Sequence, residues 1–538
     1  MQRVAQNCVA QLSFTSAKSY ANPGNEVELD VIVIDPQGHE SRVPAYWAGE
    51  EMWGARYASS LVGLHRYRTV CSDPANQGLH GQEGTIEVVP YEGTNPLLRH
   101  GPLRVAADRR HLEHQDGTPF FWLGDTWWMG LCRRLAWPDE FRELAADRAA
   151  KGFTVIQIVA GLYPDMGPFD ARGANEAGFP WEPGFTRLNP AYFDMADLRI
   201  AHLVRSGLVP CVVGSWGYYM EFAGEAVLRQ HWRNLVARYS AYPVIWCVAG
   251  EALMRYYLRQ AGEDTEELDT LRRRWSELAR YICRLDPRHN PITIHPTRYG
   301  HEQVDDVTVL DVDMLQTGHS GYPTLSETIN MLNQALGHEP EMPVLVGEVN
   351  YEGIMESSRE EIQRFLFWAC MLSGAAGHTY GANGLWQVNR REEPFGPSPH
   401  GSSYGNTPWD EAYRLPGSRQ LGLGKALLER YHWWRFASHP EWVSPHQGEE
   451  NRLLPYAAGI PGQVRVIFIP AMASWIAWQG KMVVRDLEPD TPYRAFWFDP
   501  KTGSEQNLGP ITRSVNEEWQ VPKPPVFQDW VLVLESAG

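Results

Sequence analysis

The sequence predicts an α/β protein in which a (β/α)8 TIM barrel is flanked by an N-terminal and a C-terminal β-sandwich. In the middle of the chain, eight short apolar runs alternate with amphipathic helical stretches, a pattern typical of a parallel sheet built from β-α units. Short alternating strands separated by Gly and Pro occupy both ends. The chain has 538 residues, too many for one hydrophobic core. We therefore divide it into residues 1–100, 101–436 and 437–538.

The two terminal regions share the alternation expected of half-buried strands. Examples are Val27–Val33 and His65–Val70 near the start, and Gln463–Ile469 and Trp530–Leu534 near the end. The segment Thr94–Pro102 carries Asn-Pro and Gly-Pro pairs, which interrupt regular structure. It is the predicted junction between the first sandwich and the barrel.

The predicted barrel strands are short runs rich in Val, Ile and Leu. They are Phe120–Leu123, Val155–Val159, Val209–Val213, Val244–Val248, Ile292–Ile294, Met314–Leu315, Val344–Val346 and Gly377–Thr379. Helices are predicted between them over Trp137–Lys151, Thr265–Leu285 and Ser358–Leu372. Eight such units fit the size of a barrel with loop insertions.

Composition limits the classes of partner. The chain holds 48 Lys and Arg against 65 Asp and Glu, a formal charge of −17, and an acidic surface repels nucleic acids and anionic membranes. The sequence also has 22 Trp, whose rings suit the apolar faces of sugars. We expect a neutral carbohydrate substrate, with neither nucleic acid nor membrane as a partner, and leave homo-oligomer formation open.

Cysteine usage and the first residues bear on the compartment. The seven cysteines are scattered and contain no CxxC pair, which argues against a disulfide framework. Met1–Tyr20 lacks an apolar run long enough for a signal-peptide core. We expect a cytoplasmic protein.

Two carboxylates stand where apolar strands open into loops. Glu251 follows the fourth predicted strand and Glu348 follows the seventh, and in a barrel of this type the active site lies at the C-terminal ends of the strands. Cleavage of a glycosidic bond needs one carboxylic acid and one carboxylate, and a separation of about 5–5.5 Å gives the retaining route. We predict Glu251 as the general acid/base and Glu348 as the nucleophile.

Other polar and aromatic residues, at or beyond the ends of the first, second, third, fifth, sixth and eighth predicted strands, form the predicted substrate-binding set. They are Asp125, Trp127, Trp128, Gln157, Trp216, His295, Gln316, His319, Tyr380 and Trp386. Each has a structural alternative, because large aromatic residues are mostly buried and a carboxylate can cap a helix. We also expect burial and the second charge to raise the pKa of Glu251, and hydrogen bonds from groups such as His295, His319 or Tyr380 to keep Glu348 ionised.

Two other functions remain open at this point. A non-catalytic barrel could bind carbohydrate with the aromatic residues alone. A metal-dependent hydrolase could use His295, His319 and His378 with Asp311 or Asp313. The sequence lacks both an HxH motif after the first strand and an HExxH motif on a helix. We therefore predict neither a metal nor a cofactor.

The start of the predicted barrel resembles a known family. The run LEHQDGTPFFWLGDTWW at residues 112–128, followed by KGFTVIQ at 151–157, is similar to the opening of the apiosidase-like glycoside hydrolase domains. This resemblance covers about Leu103–Trp434. The preceding region, with LHGQEG at residues 79–84, is similar to the β-sandwich found before such domains, and the end is similar to a small β-domain named for collagen binding.

The resemblance implies a clan A (β/α)8 barrel with its acid/base on the fourth strand and its nucleophile on the seventh. The paired glutamates, the Trp-rich barrel mouth and the lack of a secretion signal lead us to expect an exo-acting retaining enzyme on small glycosides or oligosaccharides, such as apiosides, arabinofuranosides or related compounds. One position departs from the pattern. Many clan members have Asn before the acid/base Glu, and apiosidase-like domains often have Gly-Asp there, whereas this chain has Gly250-Glu251. The usual partner of the sugar 2-hydroxyl is therefore missing.

Overall fold

Eight parallel strands form the central sheet of the computed structural model, which describes residues 1–257, 267–511 and 518–536. In chain order these strands are β1 (Trp122–Thr126), β2 (Val155–Val159), β3 (Val209–Val213), β4 (Ile245–Cys247), β5 (Ile292–Thr293), β6 (Asp313–Gln316), β7 (Val344–Glu348) and β8 (Gly377–Tyr380). Nearly every strand residue is buried, as expected for strands covered on both faces.

The sheet closes on itself. Neighbours in chain order pair from β1 to β5 and from β6 to β8, and β8 pairs with β1, so that β5 and β6 are the two ends of the paired sheet. Between β5 and β6, the Asp311 amide donates to the Ile292 carbonyl and the Thr293 hydroxyl donates to the Val312 carbonyl. These bonds complete the predicted (β/α)8 barrel.

Helices surround the barrel. The longer ones span Asp139–Ala150, Pro190–Arg205, Glu225–Tyr239, Leu268–Leu285, Thr324–Leu336, Glu360–Ser373 and Pro416–Leu428. Short helices span Pro23–Glu26, Pro96–His100, Tyr219–Phe222, Trp409–Ala412 and Ser474–Trp478. Thr265, the predicted start of one helix, lies outside the described residues. None of the described helices is long and apolar enough to cross a membrane.

A pair of sheets lies on each side of the barrel in sequence, and their strands pair antiparallel apart from Gln2–Ala5, which runs parallel to Glu83–Val89. The N-terminal pair consists of Gln2–Ala5, Leu29–Ile34, Glu40–Pro44, Gly63–Cys71 and Glu83–Val89 in one sheet and Ala10–Thr15, Tyr46–Gly49 and Met52–Tyr57 in the other. The C-terminal pair consists of Ala437–Ser438, Tyr456–Ile460, Val464–Ile469, Tyr493–Phe498, Glu505–Pro510 and Trp530–Ser536 in one sheet and Val443–Ser444, Val483–Val484 and Trp519–Gln520 in the other. The ranges 1–100, 101–436 and 437–538 stay predictions of the domain limits.

The first barrel strand differs from its prediction. Phe120 pairs with Leu112 in a small antiparallel sheet made by Leu103–Val105, Leu112–His114 and Pro119–Phe120, and β1 begins only at Trp122. A turn at Asp116-Gly117 closes this hairpin, with the Asp116 side chain accepting from the Thr118 amide. One apolar run therefore contains the end of a hairpin and the start of a barrel strand.

Candidate active site

A cavity of about 160 Å³ opens at the C-terminal ends of the barrel strands. Its walls come from loops that follow several strands. The lining residues are Trp128, Pro164, Asp165, Trp216, Glu251, Met254, Tyr257, Gln316, His319, Glu348, Tyr351, Ile354, Trp386 and Tyr404. Both predicted catalytic carboxylates and five residues of the predicted substrate-binding set are among them.

Gln316 connects the two glutamates. Its Nε2 donates to Glu251 Oε1 at 3.1 Å and to Glu348 Oε1 at 3.0 Å. A nitrogen within hydrogen-bond distance of both oxygens holds these oxygens within about 6 Å of each other. The Oε1 atom of Gln316 is buried and has no hydrogen-bond partner in the part of the chain that the structure describes.

The surroundings of Glu251 favour its protonated form. Burial and the nearby charge of Glu348 raise the pKa of Glu251 to about 7. Two donors limit this rise, because Gln316 contacts Oε1 and Trp216 Nε1 donates to Oε2 at 3.0 Å. The Glu251 backbone has a φ of 43°, a left-handed conformation that is uncommon for a residue with a side chain.

The ring of Trp216 explains why glycine precedes Glu251. A Cβ atom on Gly250 would lie 2.3 Å from carbon atoms of that ring, far inside van der Waals contact. Gly250 also forms an isolated parallel bridge with Trp216. The Trp216 ring therefore occupies the space that a side chain at position 250, such as Asn, would need.

Glu348 lies in the opposite electrostatic setting. Burial alone would raise the pKa of Glu348. Contacts with His295 and His319, and the positive charge of their imidazoles, bring this pKa well below its ordinary value. His319 Nε2 lies 2.8 Å from Oε1, and His295 Nε2 lies 3.1 Å from Oε2. The phenol of Tyr351 also lies against Glu348. At neutral pH, Glu348 is a carboxylate and Glu251 is partly protonated.

Aromatic rings line the cavity around these carboxylates. Trp128 packs edge-to-face against Trp216 with ring centroids 5.5 Å apart, and its Nε1 donates to the Tyr351 hydroxyl at 3.2 Å. Tyr351 stacks with His319 at 4.6 Å and with Trp386 at 6.3 Å. Each ring therefore has a neighbour that fixes its orientation.

Five residues of the predicted substrate-binding set do not line the cavity. Asp125 is fully buried and accepts from Trp127 Nε1 at 2.7 Å and from Arg148 Nε at 2.6 Å. The hydroxyl of Tyr380 donates to Glu352 Oε2 at 2.5 Å. Asp125, Trp127 and Tyr380 thus belong to a buried polar network and not to the cavity wall, and Tyr380 does not contribute to the ionisation of Glu348 as the sequence analysis expected.

Gln157 and His295 are also buried away from the cavity surface. Gln157 Nε2 donates to the Gly347 carbonyl at 2.7 Å, so it supports the strand that carries Glu348. His295 has no exposed surface and faces Glu348. The structure places both residues beside the strand and the carboxylate of the nucleophile candidate, outside the residues that line the cavity.

Several lining residues carried no assigned role in the sequence analysis. They are Pro164, Asp165, Met254, Tyr257, Tyr351, Ile354 and Tyr404. Asp165 follows the second strand and Tyr351 follows the seventh, and these positions could have indicated that both lie at the cavity. Pro164 precedes Asp165 in the same loop, and the others lie in loops after the fourth, seventh and eighth strands, where the order of residues does not indicate which side chains fold back over the barrel.

The histidines and aspartates of the metal alternative have other partners. Among the described residues, no group of three or more His, Cys, Asp or Glu is arranged to hold a metal ion. Asp313 pairs with His301 at 2.7 Å, and Asp311 Oδ2 accepts from the Ile292 amide at 2.9 Å. His378 is fully buried on β8.

Family models match three parts of the chain. The model described as "Apiosidase-like, catalytic domain" matches residues 106–435, more than half of the chain. A domain of unknown function, DUF5060, matches residues 3–72, and a "Putative collagen-binding domain of a collagenase" matches residues 479–535. The comparison with curated proteins found no match.

Solved structures share the fold. A glycoside hydrolase is 21% identical with a TM-score of 0.67, covering 83% of this chain and 99% of that chain. A glycoside hydrolase family 5 structure from Bacteroides vulgatus ATCC 8482 is 20% identical with a TM-score of 0.67, covering 83% and 95%. A "putative glycoside hydrolase" from the same organism is 16% identical with a TM-score of 0.68 and covers 100% of both chains.

Proposed function

Because the chain belongs to the apiosidase-like family of catalytic domains and is a glycoside hydrolase, we propose that it is a retaining enzyme that uses Glu251 as acid/base and Glu348 as nucleophile. The observation that carries this proposal is the shared contact of both carboxylates with Gln316 Nε2. The two oxygens that it holds lie within about 6 Å of each other, close to the 5–5.5 Å of retaining enzymes and below the 6.5–9.5 Å of inverting ones.

The reaction proceeds in two displacements. Glu348 attacks the anomeric carbon while Glu251 transfers its proton to the departing glycosidic oxygen, which leaves as an alcohol. Glu251, now a carboxylate, takes a proton from water as that water attacks the anomeric carbon. The bond to Glu348 breaks, and the sugar leaves with its original anomeric configuration.

The size and lining of the cavity support an exo-acting enzyme on small glycosides. About 160 Å³ suits one sugar ring and not a bound polymer. Trp128, Trp216 and Trp386 line the cavity and offer apolar ring faces for stacking. Apiosides, arabinofuranosides and related glycosides are the proposed substrate class.

A panel of 4-nitrophenyl furanosides and pyranosides, including apiosides and arabinofuranosides, tests the activity. We expect turnover of at least one member, with a first-formed product of retained configuration by NMR. Glu251→Gln and Glu348→Gln should each lower kcat by about 10³-fold or more, since each removes one chemical role and almost no volume. With Glu251→Gln, added azide should restore turnover and give the glycosyl azide of retained configuration.

Glu352→Gln is the matched control. Burial raises the pKa of Glu352 to about 7, as for Glu251, but Glu352 contacts Tyr380 and the Gly417 amide and does not line the cavity. It should keep most of the activity. An inverted product, or near wild-type activity in either cavity variant, would contradict the assignment.

A further inference from the structure

The cavity contains a third carboxyl group, Asp165, which the proposed reaction does not use. It lies in the loop after β2, its residue surface is only 7% exposed, and it lines the same cavity as Glu251 and Glu348. Its charge contributes to the raised pKa of Glu251, so the two carboxyl groups interact electrostatically across the cavity. Its backbone has a φ of 56°.

Side chains from two other loops contact the Asp165 carboxyl group. Ser398, in the long loop after β8, donates its Oγ–H to Asp165 Oδ1 at 2.5 Å. The phenol of Tyr257, in the loop after β4, lies against the same carboxyl group and favours its ionised form. Loops from three different strands therefore meet at this carboxyl group.

Arg172 fixes the backbone at the same point. Its Nη2 donates to the Asp165 carbonyl at 3.2 Å, and its Nη1 donates to the Phe395 carbonyl at 3.1 Å. The guanidinium group of Arg172 is also paired with the Asp170 carboxylate at 2.8 Å. Asp165 is consequently held in place before any ligand arrives, as a recognition group must be.

Burying the Asp165 carboxylate costs free energy of solvation unless a ligand supplies further hydrogen bonds. Burial raises the pKa of Asp165, because a carboxylate removed from water loses solvation that its polar neighbours only partly replace. An ionised carboxylate has about four acceptor sites on its two oxygens. The described residues that line the cavity include neither Arg nor Lys. Donors of hydrogen bonds without charge, such as sugar hydroxyls, are the groups that suit this wall.

On the basis of the proposed glycosidase function, we propose that Asp165 is a specificity-determining residue whose carboxylate accepts hydrogen bonds from two adjacent hydroxyls of the sugar that is cleaved. The substrate class is then a neutral sugar with a vicinal diol facing Asp165. Deoxy sugars that lack either hydroxyl, and uronic acids that place a carboxylate there, are discriminated against. When the substrate lacks the donating hydroxyl, the charged oxygen of Asp165 stays buried without that hydrogen bond. The lost free energy makes such sites discriminate strongly between substrates.

The test uses the 4-nitrophenyl glycoside that the intact protein cleaves fastest, together with its analogues that each lack one hydroxyl. Two analogues that lack adjacent hydroxyls should lose roughly 10- to 150-fold in kcat/KM with the wild-type protein, the range of one hydrogen bond to a charged group. With Asp165→Asn, kcat/KM on the parent glycoside should fall by a similar factor, whereas kcat/KM on those two analogues should fall little further. If the loss from Asp165→Asn and the loss from a missing hydroxyl multiply when combined, the two act independently and the proposal is overturned.

Two further measurements keep the result interpretable. If Asp165→Asn fails to fold, as judged by circular dichroism, the deoxy series on the wild-type protein decides, because equal kcat/KM for every analogue excludes a hydroxyl-selective carboxylate. Ser398→Ala removes the hydroxyl that donates to Asp165 Oδ1 and should weaken the discrimination between parent and analogue. Unchanged discrimination in that variant would count against the proposed anchoring of the carboxylate.

Failure of the inference can be separated from failure of the proposed function. Calorimetric binding of the free parent monosaccharides of the glycoside panel, and of their deoxy forms, to Glu348→Gln needs no hydrolysis. Selective binding without any glycosidase activity would support Asp165 and contradict the retaining mechanism. Hydrolysis that depends on both glutamates, with no preference for the vicinal diol, would contradict the role of Asp165 alone.

Discussion

At the scale of single residues, neighbours separate two carboxyl groups that begin with similar pKa values. Glu251 and Glu348 share a donor in Gln316, but only Glu348 has two imidazoles against it. The pKa of Glu251 rises to about 7 and that of Glu348 falls well below its ordinary value. Divergent pKa values in one pair of carboxyl groups are the usual sign of an acid and a nucleophile.

The pH dependence of kcat/KM should follow this division. Glu251 must be protonated to act as acid, so activity should fall as pH rises through about 7. Glu348 must be ionised, and because its pKa is lowered, the acidic limb should lie below the ordinary range for glutamate. Glu251→Gln should abolish the alkaline limb in the residual activity. Persistence of that limb, or its loss in Glu352→Gln instead, would assign it to another group.

The indole of Trp216 should set the position of the alkaline limb. Trp216→Phe keeps a ring but removes the N–H that stabilises the charged form of Glu251 at Oε2, so the pKa should rise and the limb should move upward by roughly one pH unit. Trp128→Phe is the control, because its N–H contacts Tyr351 and not Glu251. A limb that does not move in Trp216→Phe, or moves equally in both variants, would show that this bond does not control the acid.

The sequence could indicate that Glu251 and Glu348 lie at the cavity, but it could not indicate the full cavity lining. Glu251 and Glu348 follow apolar runs directly, so barrel geometry alone predicts where they lie. Asp125 follows the first predicted strand in the same way, but it lies within β1, where Arg148, on the helix Asp139–Ala150, pairs with it. That contact depends on packing that the local pattern does not encode, and for the same reason Trp127 was assigned to substrate in the sequence analysis and is found in the core.

At the scale of elements, strand ends determine the geometry of the site. β7 extends through Glu348, beyond the predicted end at Val346. In contrast, β4 ends at Cys247 and leaves Glu251 in a loop. Apolar periodicity reports the buried part of a strand. It does not report how far hydrogen bonding continues into polar residues, and this limits the accuracy with which the ends of the strands could be predicted.

Gly250→Ala should lower kcat by displacing the loop after β4, which carries Glu251. A Cβ at this position meets the Trp216 ring at 2.3 Å, so the ring or the β4 loop must move, and Glu251 moves with it. A displacement of about 1 Å in a catalytic group costs about 100-fold in rate, and we expect that order of loss in kcat with a lower Tm. Gly448→Ala is the control, because a Cβ there has no neighbour within 4 Å. Wild-type kcat in Gly250→Ala would show that the loop tolerates the displacement.

At the scale of the whole molecule, the terminal sheets have hydrophobic clusters of their own and also contact the barrel. One hydrophobic core includes barrel residues together with Tyr456, Phe468 and Val531 of the C-terminal sheet, and Trp368 stacks on Phe468. On the other side, Arg56 pairs with Asp197. These contacts bury aromatic and charged groups across sequence separations that no local pattern could reveal. The sequence predicted the three regions, but it did not predict how they are joined.

The ion pair between Arg364 and Asp529 should be the most sensitive point of the C-terminal contact. Arg364, on the helix Glu360–Ser373, donates to both carboxylate oxygens of Asp529 at 2.6 and 2.9 Å, and both residues are 2% exposed. Asp529→Ala leaves the guanidinium group buried and unpaired, so it should lower the free energy of unfolding by about 3–5 kcal/mol. Urea unfolding, followed by tryptophan fluorescence and circular dichroism, measures this loss.

Glu411→Ala provides the comparison, because its pair with Arg391 is exposed and should contribute less than about 1 kcal/mol. The ratio between the two losses is the informative quantity, since both variants remove one carboxylate from an Arg pair. Equal small losses would mean that water reaches Arg364 and that the C-terminal sheet separates readily from the barrel. A large loss in Asp529→Ala, accompanied by reduced glycosidase activity at temperatures below the transition, would show that the barrel depends on this sheet for its active conformation.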